Sequence, residues 1–222
     1  VKIDAMRVDI GATTKEAAQG KAPLGTRIGF DTPFMDLGAL VRGKAFDDRA
    51  GCSVLVHILQ GERLPFDVVG AFVVQEEIGL RGAQVAAHRV EPDLAFVLEG
   101  TIADDLPKGE DADESPTTEV GKGPVLSLMD RSVIYDARLN RLLAQTAEEL
   151  GIPYQYKQPG IGGTDGEAIV TQLGGIPSAV VSVPCRYIHS PAALLSKQDY
   201  QNAIRLLRAA LARVDRRVLE RA

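Results

Sequence analysis

Apolar and polar positions change texture near residue 44. Over residues 2–11, "KIDAMRVDIG", they alternate enough for a strand, and residues 13–19, "TTKEAAQ", fit a short helix opened by a threonine cap. Residues 20–34 carry Gly and Pro and read as loop with short strands. From residue 44 a regular alternation sets in. Helical spacing runs over 49–64, a near-continuous apolar strand over 66–74, a helix over 79–90 and a second buried strand over 93–100. A polar, acidic, Pro- and Gly-bearing loop spans 104–124, and its 109–119 portion approaches low complexity. Beyond it the pattern predicts a helix over 136–151, a strand over 153–157, a helix over 164–173, a strand over 177–184 and a long last helix over 196–219. Strands alternating with helices predict an α/β sheet covered on both faces. There is no internal repeat.

The 222 residues suffice for one large α/β domain or a domain and a half, with a sizeable core. A net charge of -5 argues against a general nucleic-acid binder or a binder of anionic membranes. The excess basic charge sits in the last helix and reads as a solvated face. Cys52 and Cys185 lie far apart and in no paired motif. That disfavours a disulfide framework or a cysteine zinc site and makes a reducing cytosol the default. No apolar run reaches membrane-spanning length, and no signal-peptide pattern opens the chain. The chain starts at Val1 on what reads as a strand already under way, so a longer natural N-terminus is expected.

In open α/β sheets ligands gather outside the carboxyl ends of the strands. The apolar strand over 66–74 delivers Glu76 and Glu77 there, the next strand delivers Glu99, and the last delivers "PCRYIHS" with Arg186 and His189. "GKAFDDRAG" places Asp47 and Asp48 just before a helix. Carboxylates gathered on one edge repel unless something positive sits among them. A divalent metal answers that need, and carboxylate oxygens with one imidazole suit zinc, cobalt or manganese. If two metals share the site, one carboxylate bridges them. Adjacent glutamates then have separate tasks: one binds metal, and its neighbour exchanges a proton with water. Singly, each piece has an ordinary explanation. A Glu-Glu pair is usually a solvated turn, and "DDRAG" fits a helix cap. His189 alone is more often a satisfied core or surface histidine. His57 and His88 sit in amphipathic helices and stay ordinary. "GGTDG" at 162–166 fits a glycine turn capped by Asp165.

As a set, "GKAFDDRAG", "VVQEEIGLRGA", "VLEGTIADD", "GGTDGEAI" and "RYIHSP" resemble, in order, the M42 family of metallo-aminopeptidases over almost the whole chain. These are the glutamyl and deblocking aminopeptidases, some of which carry an endoglucanase label. The resemblance implies a zinc-exopeptidase-like, mixed and mostly parallel sheet flanked by helices. It also implies residues 1–42 as the remnant of a small β-rich inserted dimerisation domain, and 43–222 as an incomplete catalytic domain. It implies two divalent ions, with Asp47 bridging (Asp48 being the alternative), Glu77, Glu99 and His189 as terminal ligands, and Glu76 as general acid/base. Asp165, Gly163 and Arg186 would lie near the substrate. Short peptides would be the substrates of a cytoplasmic homo-oligomer built from dimers, up to a dodecamer. The family's further His-x-Asp ligand motif is absent, since none of His57, His88 and His189 precedes an Asp by two residues. A chain missing that upstream segment is expected to be a weak catalyst by itself.

Two other readings stand beside this one. A glycoside hydrolase could use Glu76 and Glu99 as acid and nucleophile. An aromatic content of 5% without Trp leaves it few sugar platforms, and His189 would have no task. A non-catalytic assembly protein is the other alternative.

Overall fold

The computed structural model describes residues 2–107, 109 and 115–220, so residues 110–114 of the acidic loop lie outside the described residues. Two compact units divide the chain at Asp31 and Thr32. The first holds a single 3-10 turn, Ile3–Ala5, where a strand is expected, and helix α1, Lys15–Lys21. Thr14 caps α1, its side chain accepting from the Ala17 N–H at 3.1 Å. No inserted β-rich domain is visible in it among the described residues.

The second unit carries strands β1 (Met35–Asp36), β2 (Leu40–Gly43), β3 (Ala95–Ile102), β4 (Val125–Ser127), β5 (Gln155–Tyr156), β6 (Ser178–Arg186) and β7 (Ala193–Ser196). Its helices are α2 (Phe46–Leu59), α3 (Arg81–Val90), α4 (Ala137–Glu149), α5 (Asp165–Val170) and α6 (Lys197–Leu211). The strands form one mixed sheet in the order β1-β2-β7-β6-β4-β5, with β3 on the other flank of β6. Among the described residues, only β3–β6 and β4–β5 pair in parallel; the remaining strand pairings are antiparallel. The mostly parallel character expected above is thus reversed, because the short strands β1, β2, β4 and β7 enter as antiparallel neighbours. Residues 32–42, grouped above with the opening segment, belong to the second unit, where β2 pairs with β7.

The central strand β6 is buried along its length up to Cys185, as a mostly apolar run interrupted only by small serines permits. Pro184 cannot donate to a ladder, and it sits where β4 has ended and β7 has not begun, with β3 as its one neighbour. One sheet face packs on α2, α4 and α6. Leu139, Leu143 and Ala147 of α4 and Ala203, Leu206, Leu207 and Ala210 of α6 bury at helical spacing against Leu126, Val181 and Val183. Asp136 caps α4 and Ser196 caps α6. The other face is smaller, with Val97, Tyr135 and Val180 under Ile169 and Val170 of α5.

Two expected elements differ. No strand forms over 66–74 among the described residues. Val69, Phe72 and Val74 stand 63%, 53% and 69% exposed. Apolar spacing marks a segment suited to a sheet interior, but a strand exists only where a neighbour takes its backbone groups. Here Gln75 O and Val74 O accept only from the local N–H groups of Arg81 and Gly82. The last helix stops at Leu211, where periodic burial ends, and Asp215 caps a separate turn, Arg216–Leu219.

Candidate metal centre

Helix α2 opens with two residues outside helical geometry, Asp47 and Asp48. Asp48 Oδ1 accepts from the Gly51 N–H at 2.8 Å, so it is Asp48 that caps the regular part of the helix. Asp48 also accepts from the Gly100 N–H of β3, and the Asp47 backbone lies against the same glycine. The approach is close: a Cβ on Gly100 would lie 3.0 Å from Asp47 Cα, so glycine there lets strand and aspartate meet. Glu99, one residue earlier on β3, is buried and pairs across to Ser182 of β6. His189 follows β6 in the left-handed region, φ 58, which histidine enters more readily than most residues. Its Nε2 lies 2.9 Å from Asp47 Oδ2 and 3.6 Å from Glu77 Oε2. Glu76 and Glu77 sit in the turn before α3, held by the Gly79 and Leu80 N–H groups that donate to Glu76 O.

Two groups of possible donors result. Asp47, Glu77 and His189 bring one atom each within 4.8 Å of one another, and so do Asp47, Asp48 and Glu99. Asp47 is common to both. Glu76 belongs to neither, yet it feels the charges of Asp165, Glu77 and Asp47. The sequence assigned Asp48 no role beyond an alternative to Asp47. Its capping bond and its place in the second group follow from the break in α2, which the letters "DD" do not announce.

The electrostatics fit a cation. Burial pushes Asp48 up to about 8 and, with the Asp48 charge next, holds Glu99 well above the usual carboxylate range. Burial and then Glu77 raise Asp47, against the pull of His189. Burial, followed by Asp165, Glu77 and Asp47, lifts Glu76 to about 7. Acids crowded out of water in this way hold protons until a positive charge replaces them. Carboxylates with one imidazole are donors suited to a divalent ion of the zinc or cobalt type.

The remaining expected residues are placed differently. Asp165 begins α5 behind the Thr164 cap; its Oδ1 is buried without a hydrogen bond, and burial lifts it to about 6. Gly163 lies in the exposed loop ahead of it, where a Cβ would strike the Glu167 carboxylate at 2.4 Å. Arg186 is engaged by Asp105, at 2.6 Å and 2.8 Å, and so ties β6 to the loop after β3. His57 and His88 join neither donor group. The sequence also gave no sign of Lys157, which lies buried on the sheet face that carries Glu99. Its letter closes a short alternating run and looks like any surface lysine.

A family model described as M42 glutamyl aminopeptidase matches residues 1–206. A provisionally named aminopeptidase of Acetivibrio thermocellus is 37% identical over 210 residues, covering 93% of this chain and 62% of the relative. The chain therefore spans about three-fifths of the length of the curated relatives it matches. Among solved structures, a TET aminopeptidase from a marine sediment archaeon of the Thaumarchaeota superimposes with a TM-score of 0.84 at 41% identity, over 95% of this chain and 61% of that one. The Pyrococcus horikoshii TET1 peptidase, described as able to assemble into a tetrahedron or a large octahedral shell, gives 0.76 at 31% identity, over 93% and 60%.

Proposed function

Because the chain belongs to the M42 glutamyl aminopeptidase family, we propose that it carries the metal-binding and proton-transfer residues of an aminopeptidase that removes N-terminal residues from short peptides. The observation that carries the proposal is the arrangement of Asp47 in both donor groups with Glu76 outside them. Asp47, Glu77 and His189 would hold one divalent ion, and Asp47 with Glu99, aided by Asp48, a second. Bound there, such ions supply Lewis acidity to the attacking water and the scissile carbonyl. Zinc or cobalt suits this donor set.

Glu76 takes the water's proton and returns it to the leaving amine. A carboxyl balanced near neutrality can do both. Asp165, with one buried oxygen unpaired, supports a role in accepting the substrate's free α-amine. The second donor group has no imidazole, the residue type that the absent His-x-Asp motif would add, so in this chain the His189 group should bind metal more tightly. Assembly from dimers into a closed homo-oligomer, of the kind described for the Pyrococcus horikoshii relative, would admit short peptides and exclude folded chains. No described helix is long and apolar enough to cross a membrane. The unpaired Cys52 and Cys185 support a cytoplasmic site of action.

The test is Glu76→Gln in the zinc-loaded protein. Turnover of amino-acid anilides should fall by 10²-fold or more, roughly the contribution of a positioned general base, while zinc content is retained. Near-normal turnover would remove Glu76 from the role.

A further inference from the structure

Lys157 is the one buried basic side chain among the described residues, 7% exposed. Sheet register fixes where it points. Glu99 pairs with Ser182, Ser182 with Val125, and Val125 with Gln155, so these residues share a face. Lys157 comes two residues after Gln155, and its N–H still donates to Leu126 O at 3.0 Å, so it leaves the sheet on that same face. Its ammonium therefore stands over the surface that ends in the donor groups.

No hydrogen bond or ion pair engages that ammonium among the described residues. It feels the charges of Asp130, Glu99 and Asp47 without a hydrogen bond to any of them; Asp130 is buried and accepts from the Tyr135 hydroxyl, while its other oxygen has no hydrogen-bond partner. An ammonium on a stem buried this deeply, with no hydrogen bond and only a narrow opening to solvent, is suited to an anion that enters by that opening and completes it. The opening lies at Gly162. A Cβ there would sit 3.4 Å from Lys157 Nζ, and Gly162 has φ +68, which disfavours any side chain that would cover the cation. The exposed loop that leaves Lys157 uncovered leads directly into Thr164 and Asp165.

We propose that Lys157 binds a carboxylate of the peptide substrate. This rests on the aminopeptidase reading above. The carboxylate has two possible sources, the side chain of an acidic N-terminal residue or the C-terminus of a di- or tripeptide. Both are met by the same charge-assisted hydrogen bond.

The zinc-loaded protein and its Lys157→Met variant are compared on Glu-p-nitroanilide, Leu-p-nitroanilide, Ala-Ala and Ala-Ala amide. An N-terminal acidic side chain is the source if the Glu-to-Leu ratio of kcat/KM falls about 10- to 100-fold in the variant, chiefly through KM, the size expected for a lost hydrogen bond to a charged group. The C-terminus is the source if the Ala-Ala to amide ratio falls instead. If neither ratio changes, or all substrates lose activity equally, the proposal is overturned, and Lys157 only balances the buried acids. Should Lys157→Met fail to fold, Lys157→Gln takes its place. If the wild-type protein cleaves none of these substrates, the aminopeptidase reading fails by itself. Calorimetric titration with free glutamate against glutamine, and with Ala-Ala against its amide, then decides Lys157: carboxylate-dependent binding lost in the variant supports it, and binding indifferent to the carboxylate overturns it.

Discussion

Asp47→Asn should reverse the chain's response to zinc. Both three-donor groups use Asp47, so the substitution removes an anionic ligand from each at once. A cation that binds only the folded state adds about 2.7 kcal/mol at a hundred times its dissociation constant. For a chain of this size that is a rise in Tm of about 5–10 °C. The native protein should show this rise in scanning fluorimetry and the variant almost none. Without metal the order should invert. Burial and the Glu77 charge both disfavour ionised Asp47, so a neutral amide relieves the metal-free protein. Glu99→Gln, which touches only the second group, should retain most of the zinc-dependent rise, and His189→Ala should lose most of it. Elemental analysis of the same samples gives the metal content directly. A full zinc-dependent rise in Asp47→Asn, with metal content unchanged, would refute the shared-ligand assignment.

Other outcomes follow from the same structure. Metal-free stability should fall as pH rises from about 4 to about 8, because native Asp48 and Glu76 keep protons that the unfolded chain releases above 3.8 and 4.5. The slope is at most about 1.4 kcal/mol per pH unit for each group and less for the half-exposed Glu76; denaturant midpoints at pH 5 and pH 8 check it, and a higher midpoint at pH 8 would contradict it. Leu206→Ala, at a fully buried position of α6, should cost about 2–5 kcal/mol by urea unfolding. The exposed apolar side chains Val69, Phe72, Val74, Ile78 and Val85 should make the 222-residue chain bind an apolar dye, and Val69→Lys with Phe72→Glu should weaken that binding.

The core helices were legible because burial has a period. Leu139, Leu143 and Ala147, or Leu206 and Ala210, recur on one face, and Ser196 marks the start of α6 whatever it packs against. Strands β3 and β6 were legible as apolar runs between turn residues. The short antiparallel strands were not, since two to four residues hold no periodic signal. The run at 66–74 shows the converse: its composition suits a strand, yet pairing belongs to two segments and cannot be read from one.

The sequence by itself determined the chemistry available: adjacent glutamates, an aspartate pair, a histidine near the end of the last long strand, and the order in which they occur. That much follows from side-chain identity and position along the chain. Only the tertiary structure decided which of them meet. Asp47 rather than Asp48 became common to both donor groups because Asp48 is held by the N–H groups of Gly51 in its own helix and Gly100 of β3, while Asp47 also reaches His189. Arg186 went to Asp105, and a buried cation was placed at Lys157 by strand register. Distances between residues far apart in sequence are set by packing, and the strength of a charge is set by what surrounds it.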